Sequence, residues 1–198
     1  MSHLEILEAE LQEFLIALSE QQKSLLTRYC DELARWNQKM NLTALQGREM
    51  VRRLVVEPAW VGLQLQPKGV LADIGSGNGS PAVPLHIVCP FEKAHLIEAR
   101  SKRAAFLRHL GSSLQLSGMF VHRARFEEIA PVLGSVEWVT LQGVRLNSQI
   151  IDTIWANVPA PTNIVWITSD VKPPLPPARM LEVPMTATKV FVFQRDQS

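Results

Sequence analysis

The stretch "LADIGSGNGSP", residues 71–81, decides the fold prediction for this chain. An apolar run ends at Asp73, and glycines follow at positions 75, 77 and 79 before Pro81. Glycine lacks a Cβ atom, so such a loop can adopt positive φ angles and lets a ligand approach the backbone closely. An apolar run, a glycine loop and a proline suited to a first helical turn together indicate the strand-to-helix turn where open parallel sheets bind ligands.

The spacing of apolar residues changes near residue 65. Up to that point it is helical, and "SEQQ" at 19–22 has the capping-box form that marks a new helix start. From Val70 onward, short apolar runs alternate with helical stretches, which is typical of βαβ units. We therefore predict an N-terminal helical cap over 1–65 and a Rossmann-like α/β domain over 66–198, joined in one compact unit. Its sheet is expected to be mostly parallel with about seven strands, and "KPPLPPARMLEVP" at 172–184 to be an extended connection.

Composition and charge narrow the function classes. The 198 residues carry a formal net charge of +1, so any site for a polyanion must be a local patch. The two cysteines, Cys30 and Cys89, suit reduced thiols in the cytoplasm, and the five histidines show no metal-ligand spacing. The N-terminal segment is acidic where a signal peptide would be basic, and no stretch is apolar enough to span a membrane. We expect a soluble cytoplasmic monomer without a metal.

Two kinds of ligand compete for the glycine loop. Gly77, Gly79 and Ala82 match the G-x-G-x-x-A form of a dinucleotide site, which would hold a pyrophosphate. Asp73 would repel a phosphate but could pair with an ammonium group, and Glu98 ends the next predicted strand, where a carboxylate can bind both ribose hydroxyls. Together they favour S-adenosylmethionine over NAD. The alternative is that Asp73 only caps the loop and Glu98 is a solvated strand end.

Four motifs carry a family resemblance over about residues 20–130. They are "RWNQKMNLT" at 35–43, "ADIGSGNGSPAVPLHIVCP" at 72–90, "LIEARSKRAAFLR" at 96–108 and "RARFEE" at 123–128. In this order the chain resembles the bacterial small-subunit ribosomal RNA guanine-N7 methyltransferases, also called the glucose-inhibited division protein B family. The resemblance implies a class I methyltransferase fold, S-adenosylmethionine as cofactor, and ribosomal RNA or the small ribosomal subunit as partner.

The resemblance also implies roles for individual residues. Gly75, Gly77, Gly79 and Ser80 would form the loop on the methionine side, and Glu98 would hold the ribose. Asp73 would act through the cofactor's ammonium, directly or by a water. The turn at Phe126 and Glu127 would receive the adenine, although Phe126 is equally well explained as a core aromatic. Trp36, Asn37 and Asn41 are expected to fix the cap to the sheet and stay outside the site.

The chain departs from the family where the acceptor should bind. Gln142, in "TLQGVR" at 140–145, stands where the family has an arginine, which leaves Gln142 and Arg145 as candidates for a catalytic role. The family's His-x-x-Asp-Ser becomes "RLVVEP" at 53–58, and its lysine-containing strand end becomes "WITSD" at 166–170. Cationic candidates for contacts to RNA lie on both sides of the predicted site: Arg52, Arg53, Arg123 and Arg125.

Three functions follow, in decreasing order of support. The first is methyl transfer from S-adenosylmethionine to N7 of a guanine in small-subunit ribosomal RNA, which needs no general base because N7 carries a lone pair and no proton. The second is a divergent methyltransferase with another acceptor, or an inactive protein that binds S-adenosylmethionine, as Gln142 suggests. The third is an NAD-dependent oxidoreductase.

Overall fold

A seven-stranded sheet forms the centre of the computed structural model, which describes residues 1–158, 161–169 and 172–195. The strands are β1 (Gly69–Ile74), β2 (Phe91–Ile97), β3 (Met119–His122), β4 (Trp138–Gln142), β5 (Asn163–Thr168), β6 (Arg179–Glu182) and β7 (Lys189–Gln194). They lie in the order β3-β2-β1-β4-β5-β7-β6. The first five are parallel and β7 runs antiparallel between β5 and β6, which confirms the prediction of a mostly parallel Rossmann-like sheet.

The helices cover both faces of this sheet. After the cap come α5 (Ala82–Val88), α6 (Ser101–Leu114), α7 (Phe126–Leu133) and α8 (Ser148–Asn157). Consecutive strand residues point to opposite faces, so Leu71 belongs to one hydrophobic cluster and Ala72 to a second. The cap helices, α5 and α6 pack on the first cluster, whereas α7 and α8 pack on the second.

The N-terminal region is helical, as its apolar spacing predicts. It contains α1 (His3–Glu13), α2 (Glu20–Met40), α3 (Gly47–Val51), a π-helical turn (Arg52–Val56) and α4 (Glu57–Leu65). The Ser19 side chain accepts from the Gln22 N–H while the Gln22 side chain accepts from the Ser19 N–H, so the predicted capping box is confirmed. The cap and the sheet share one hydrophobic cluster, and the division of the chain near residue 65 stays a prediction.

The proline-rich segment at 172–184 is not helical, as expected, and its residues Arg179–Glu182 form the edge strand β6. Trp36 packs on α6, with its ring centroid 5.7 Å from that of Phe106, so its predicted role in fixing the cap is confirmed. Asp170, the last residue of the "WITSD" motif, lies outside the described residues.

Candidate functional site

The glycine loop follows β1 and is held by its own backbone. Gly75, Gly77 and Gly79 have φ angles of 75°, 47° and 96°, the left-handed region that favours glycine. The N–H groups of Gly75 and Ser76 both donate to the Ile97 carbonyl at the end of β2, at 2.9 and 3.1 Å. The Gly79 N–H donates to the Ser76 carbonyl. The loop is therefore a closed turn fixed to the end of the neighbouring strand.

Asp73 lies beneath this loop, and its side chain is buried. One carboxylate oxygen accepts a hydrogen bond of 2.7 Å from the Thr140 hydroxyl on β4. The other oxygen, Oδ2, is buried without a partner in the described part of the chain. Burial raises the pKa of the Asp73 carboxyl to about 7, and the hydrogen bond from Thr140 offsets this only in part. Asp73 does not line the cleft described below, so a cofactor contact would have to pass through the loop or a water.

Glu98 follows β2 and reaches back to the glycine loop. Its Oε2 accepts from the Gly77 N–H at 3.1 Å, and its Oε1 accepts from the Arg100 N–H at 2.7 Å. A carboxylate offers about four lone-pair sites, so two remain for further donors. Because these bonds fix the carboxylate in the cleft wall, Glu98 is placed to accept from a vicinal diol.

The cap holds the glycine loop from the other side. Tyr29 of α2 is fully buried, and its hydroxyl donates to the Asn78 carbonyl at 3.1 Å. A Cβ atom on Gly79 would lie 3.2 Å from Val83 and 3.4 Å from the Tyr29 ring. The loop therefore depends on the cap for its shape, a link that the sequence patterns do not reveal.

Gln142 ends β4 and links three parts of the site. Its Oε1 accepts from the Ser80 hydroxyl at 2.7 Å, and its Nε2 donates to the Arg53 carbonyl at 3.3 Å. The Ser80 N–H in turn donates to the Asn78 side chain. Gln142 therefore connects the glycine loop to the π-helical turn of the cap. Its two amide contacts are to the protein itself, which makes a positioning role a better fit than a catalytic one.

These groups border a cleft of about 520 Å³ over the carboxyl ends of four parallel strands. Six of the residues predicted for the site line it together: Arg53, Gly75, Gly77, Ser80, Glu98 and Gln142. Arg53 and Leu54 enter from the π-helical turn, and Leu42 and Leu45 from the segment after α2. Arg100 and Arg103 lie on the Glu98 side, whereas Ile167, Thr168 and Ser169 come from the end of β5.

Several predicted site residues lie elsewhere. Phe126 is buried in the second hydrophobic cluster, and Glu127 is exposed at the start of α7. Arg123, Arg125 and Arg145 are also exposed, and none of these five residues lines the cleft. The core-aromatic interpretation of Phe126 therefore matches its position, and an adenine contact at this turn stays a prediction.

Arg52 faces away from the cleft. Its guanidinium binds Glu10 and Glu13 of α1, and Arg48 binds the same two carboxylates. These ion pairs hold α1 against α3 and the π-helical turn. A contact between Arg52 and RNA would require breaking them, so the structure gives Arg52 a role in the cap instead of the predicted one.

The described residues contain no cluster of three or more histidine, cysteine or acidic side chains that could hold a metal ion. Within the same ranges, no helix is long and apolar enough to cross a membrane.

The sheet order with an antiparallel seventh strand, and the cleft over the strand ends, define a Rossmann-like methyltransferase fold. An RNA methyltransferase from Salinibacter ruber, in complex with S-adenosyl-L-homocysteine, superposes with a TM-score of 0.56 at 15% identity, covering 71% of this chain and 91% of that one. The C-terminal domain of precorrin-6Y C5,15-methyltransferase from Rhodobacter capsulatus gives 0.51 at 19% identity, covering 69% and 88%. At such identities these likenesses show the fold alone.

Sequence comparison identifies the family. Residues 22–166 match the family model described as rRNA small subunit methyltransferase G. The protein of that name from Chloroflexus aggregans is 40% identical over 124 residues, covering 62% of this chain and 52% of that protein. The one from Staphylococcus carnosus is 34% identical over 134 residues, covering 66% and 56%. The chain belongs to the rRNA small subunit methyltransferase G family and spans about half the length of these relatives.

Proposed function

We propose that this chain is an S-adenosylmethionine-dependent methyltransferase that acts in the cytoplasm on N7 of a guanine in small-subunit ribosomal RNA. The observation that carries this proposal is the single cleft in which the Glu98 carboxylate and the glycine loop adjoin the cap. The names of the family and of its relatives support an rRNA acceptor. The monomeric state expected from the sequence stays a prediction.

The residues present fit S-adenosylmethionine. Glu98 keeps lone pairs for the two ribose hydroxyls, since its two protein contacts use only part of its capacity. The loop places backbone at the cleft surface at Gly75 and Gly77, where a side chain would narrow the space. Asp73 adds a carboxyl group below the loop. An ammonium group above the loop would favour the ionised form of this carboxyl group.

The same loop fits NAD poorly. Pyrophosphates are bound by free backbone N–H groups at a glycine loop and helix N-terminus. Here the amides of Gly75, Ser76, Gly77, Gly79 and Ser80 already donate within the protein. The following helix α5 carries Pro84 in its first turn, which has no N–H to donate. A dinucleotide would therefore meet a loop whose donors are occupied.

The acceptor half of the cleft fits an unprotonated nucleophile. Guanine N7 attacks with a lone pair and loses no proton, so the protein has only to orient the base beside the cofactor and exclude water. The cofactor supplies an electrophilic methyl group on a sulfonium. Leu42, Leu45 and Leu54 give this side of the cleft apolar surface, and Arg53 gives it a cation.

A divergent or inactive member of the family is the second candidate. The observation in its favour is that Gln142, where the family has an arginine, is engaged on both sides by Ser80 and Arg53. The cofactor would still bind in such a protein, but the acceptor would be different or absent.

Two measurements separate these possibilities. Calorimetric titration should show binding of S-adenosylmethionine and none of NAD, and Glu98→Ala should weaken the binding. Transfer of a labelled methyl group to unmodified small subunits or their free RNA should then be found with the wild-type protein and be lost in Glu98→Ala. Cofactor binding without transfer to either RNA would favour the second candidate, and NAD binding would overturn the proposal.

A further inference from the structure

A buried acid lies behind the cap side of the cleft. Glu57, the first residue of α4, is 0% exposed, and Arg53 lies one turn earlier in the π-helical turn. The Nε atom of Arg53 is 3.7 Å from a carboxylate oxygen of Glu57. Across the described ranges, no other acid lies within 4.0 Å of the Arg53 guanidinium. Burial raises the pKa of Glu57, while the positive charges of Arg53 and Arg52 partly offset that effect.

Several buried polar atoms around Glu57 lack hydrogen-bond partners in the part of the chain that the structure describes. Among the described residues, both carboxylate oxygens of Glu57, the Nε of Arg53 and the hydroxyl of Thr188 are buried without a hydrogen-bond partner. Buried polar groups without partners are rare and costly, so each calls for an explanation, such as an ion or a water that completes the network. Arg53 and Thr188 also line the cleft, so the group faces the space where the acceptor would lie.

Arg53 differs from its neighbouring arginines in what it contacts. Arg52 and Arg48 are held by Glu10 and Glu13, away from the cleft. The Arg53 side chain is 39% exposed, and its backbone carbonyl accepts from Gln142. Its main chain is thus tied to β4 and its side chain lies beside a buried acid, while the residue also borders the cleft. Such an anchored guanidinium suits bidentate binding of a phosphate.

Resting on the function proposed above, we infer that Arg53 binds a backbone phosphate of the acceptor RNA at the cap side of the cleft and that Glu57 is the positioning residue that orients it. In this arrangement Gln142 fixes the main chain of Arg53 and Glu57 fixes its side chain. A cation thus reaches the cleft from the cap side.

The inference is tested by titrating small-subunit RNA into the protein with S-adenosyl-L-homocysteine present, at several salt concentrations. Arg53→Ala should weaken RNA binding about tenfold and lower the slope of log affinity against log salt by about 0.7–0.9, the loss of one phosphate contact. Arg53→Lys should keep the slope, and Arg179→Ala, on the exposed edge strand β6, should change neither value. Glu57→Gln should weaken RNA binding and raise KM for RNA while leaving the affinity for the cofactor unchanged.

Each outcome has one meaning. If Arg53→Ala and Glu57→Gln both bind RNA with unchanged affinity and salt slope, the inference is overturned. Arg53 would then make no phosphate contact, and Glu57 would have only a structural role. A fall in thermal stability of Glu57→Gln without a change in KM for RNA would overturn the positioning role as well. If the wild-type protein binds S-adenosyl-L-homocysteine but no small-subunit RNA, the proposed function itself has failed.

Discussion

Replacement of Asp73 by asparagine should have opposite effects on stability and on cofactor binding. Burial raises the pKa of Asp73 to about 7 from an ordinary value of 3.8. At a pH between these two values, the folded protein therefore keeps a proton on Asp73 that the unfolded chain has lost. Stability is therefore lost as the pH rises through this interval. Between about pH 5 and about pH 8 the loss is about 3 kcal/mol, since each pH unit inside the interval corresponds to about 1.4 kcal/mol.

Asparagine has no charge to desolvate, so Asp73→Asn removes this dependence. The free energy of unfolding of the variant relative to the wild type should rise by about 3 kcal/mol between about pH 5 and about pH 8. Other groups shifted in the fold, including His95 with its pKa lowered to about 4 by burial, contribute equally to both proteins and cancel in the difference. Urea unfolding of the two proteins without cofactor, at four pH values, measures it.

The same substitution should weaken cofactor binding, although it stabilises the fold at high pH. An ammonium group above the loop is attracted to ionised Asp73, so wild-type affinity for S-adenosylmethionine should increase from about pH 6 to about pH 8 and Asp73→Asn should bind about tenfold more weakly at the upper end. Thr140→Val is the matched comparison, because it keeps the titrating carboxyl but removes a hydrogen bond that lowers its pKa, so both pH dependences should persist and move to higher pH. A variant with wild-type affinity for the cofactor and an unchanged pH dependence of stability would refute this account of Asp73.

Three further substitutions test the site. Glu98→Gln should weaken S-adenosylmethionine binding by about 2 kcal/mol in calorimetry, because it removes the charge that strengthens hydrogen bonds from the ribose; affinity equal to the wild type would show that Glu98 only fixes the loop. Tyr29→Phe should lower the free energy of unfolding by about 1 kcal/mol and weaken cofactor binding, since the Asn78 carbonyl loses its donor. Gly79→Ala should destabilise the protein by more than Gly47→Ala in thermal unfolding, because both have positive φ angles but only Gly79 has neighbours within 3.5 Å of the added Cβ; equal losses would show that strain alone matters.

Much of the fold follows from local patterns in the sequence. The βαβ periodicity predicts the parallel strands, and Ser19 with Gln22 predicts the start of α2. Asn37 and Asn41 show the limit of this reasoning. The Asn37 side chain exchanges two hydrogen bonds of 2.9 Å with the Thr43 backbone, and Asn41 ends α2 in the left-handed conformation, details that the apolar spacing does not predict.

The cofactor side of the site was easier to predict than the acceptor side for a physical reason. Gly75, Gly77, Ser80 and Glu98 lie in or beside one strand-end turn, so their positions follow once β1 and β2 are identified. Gln142 contacts Ser80 and the Arg53 carbonyl, which lie 62 and 89 residues away in sequence. The π-helical turn that presents Arg53 has i to i+5 hydrogen bonds, and no pattern of apolar residues distinguishes it from an ordinary helix.

The most direct test of the central claim is analysis of the reaction product. Unmodified small-subunit RNA should be incubated with the protein and labelled S-adenosylmethionine, digested to nucleosides and separated against standards. The account predicts that the label is found in 7-methylguanosine and that Glu98→Ala yields none. Label in another nucleoside, or no label from a protein that binds the cofactor, would contradict the assignment of guanine N7 as the acceptor.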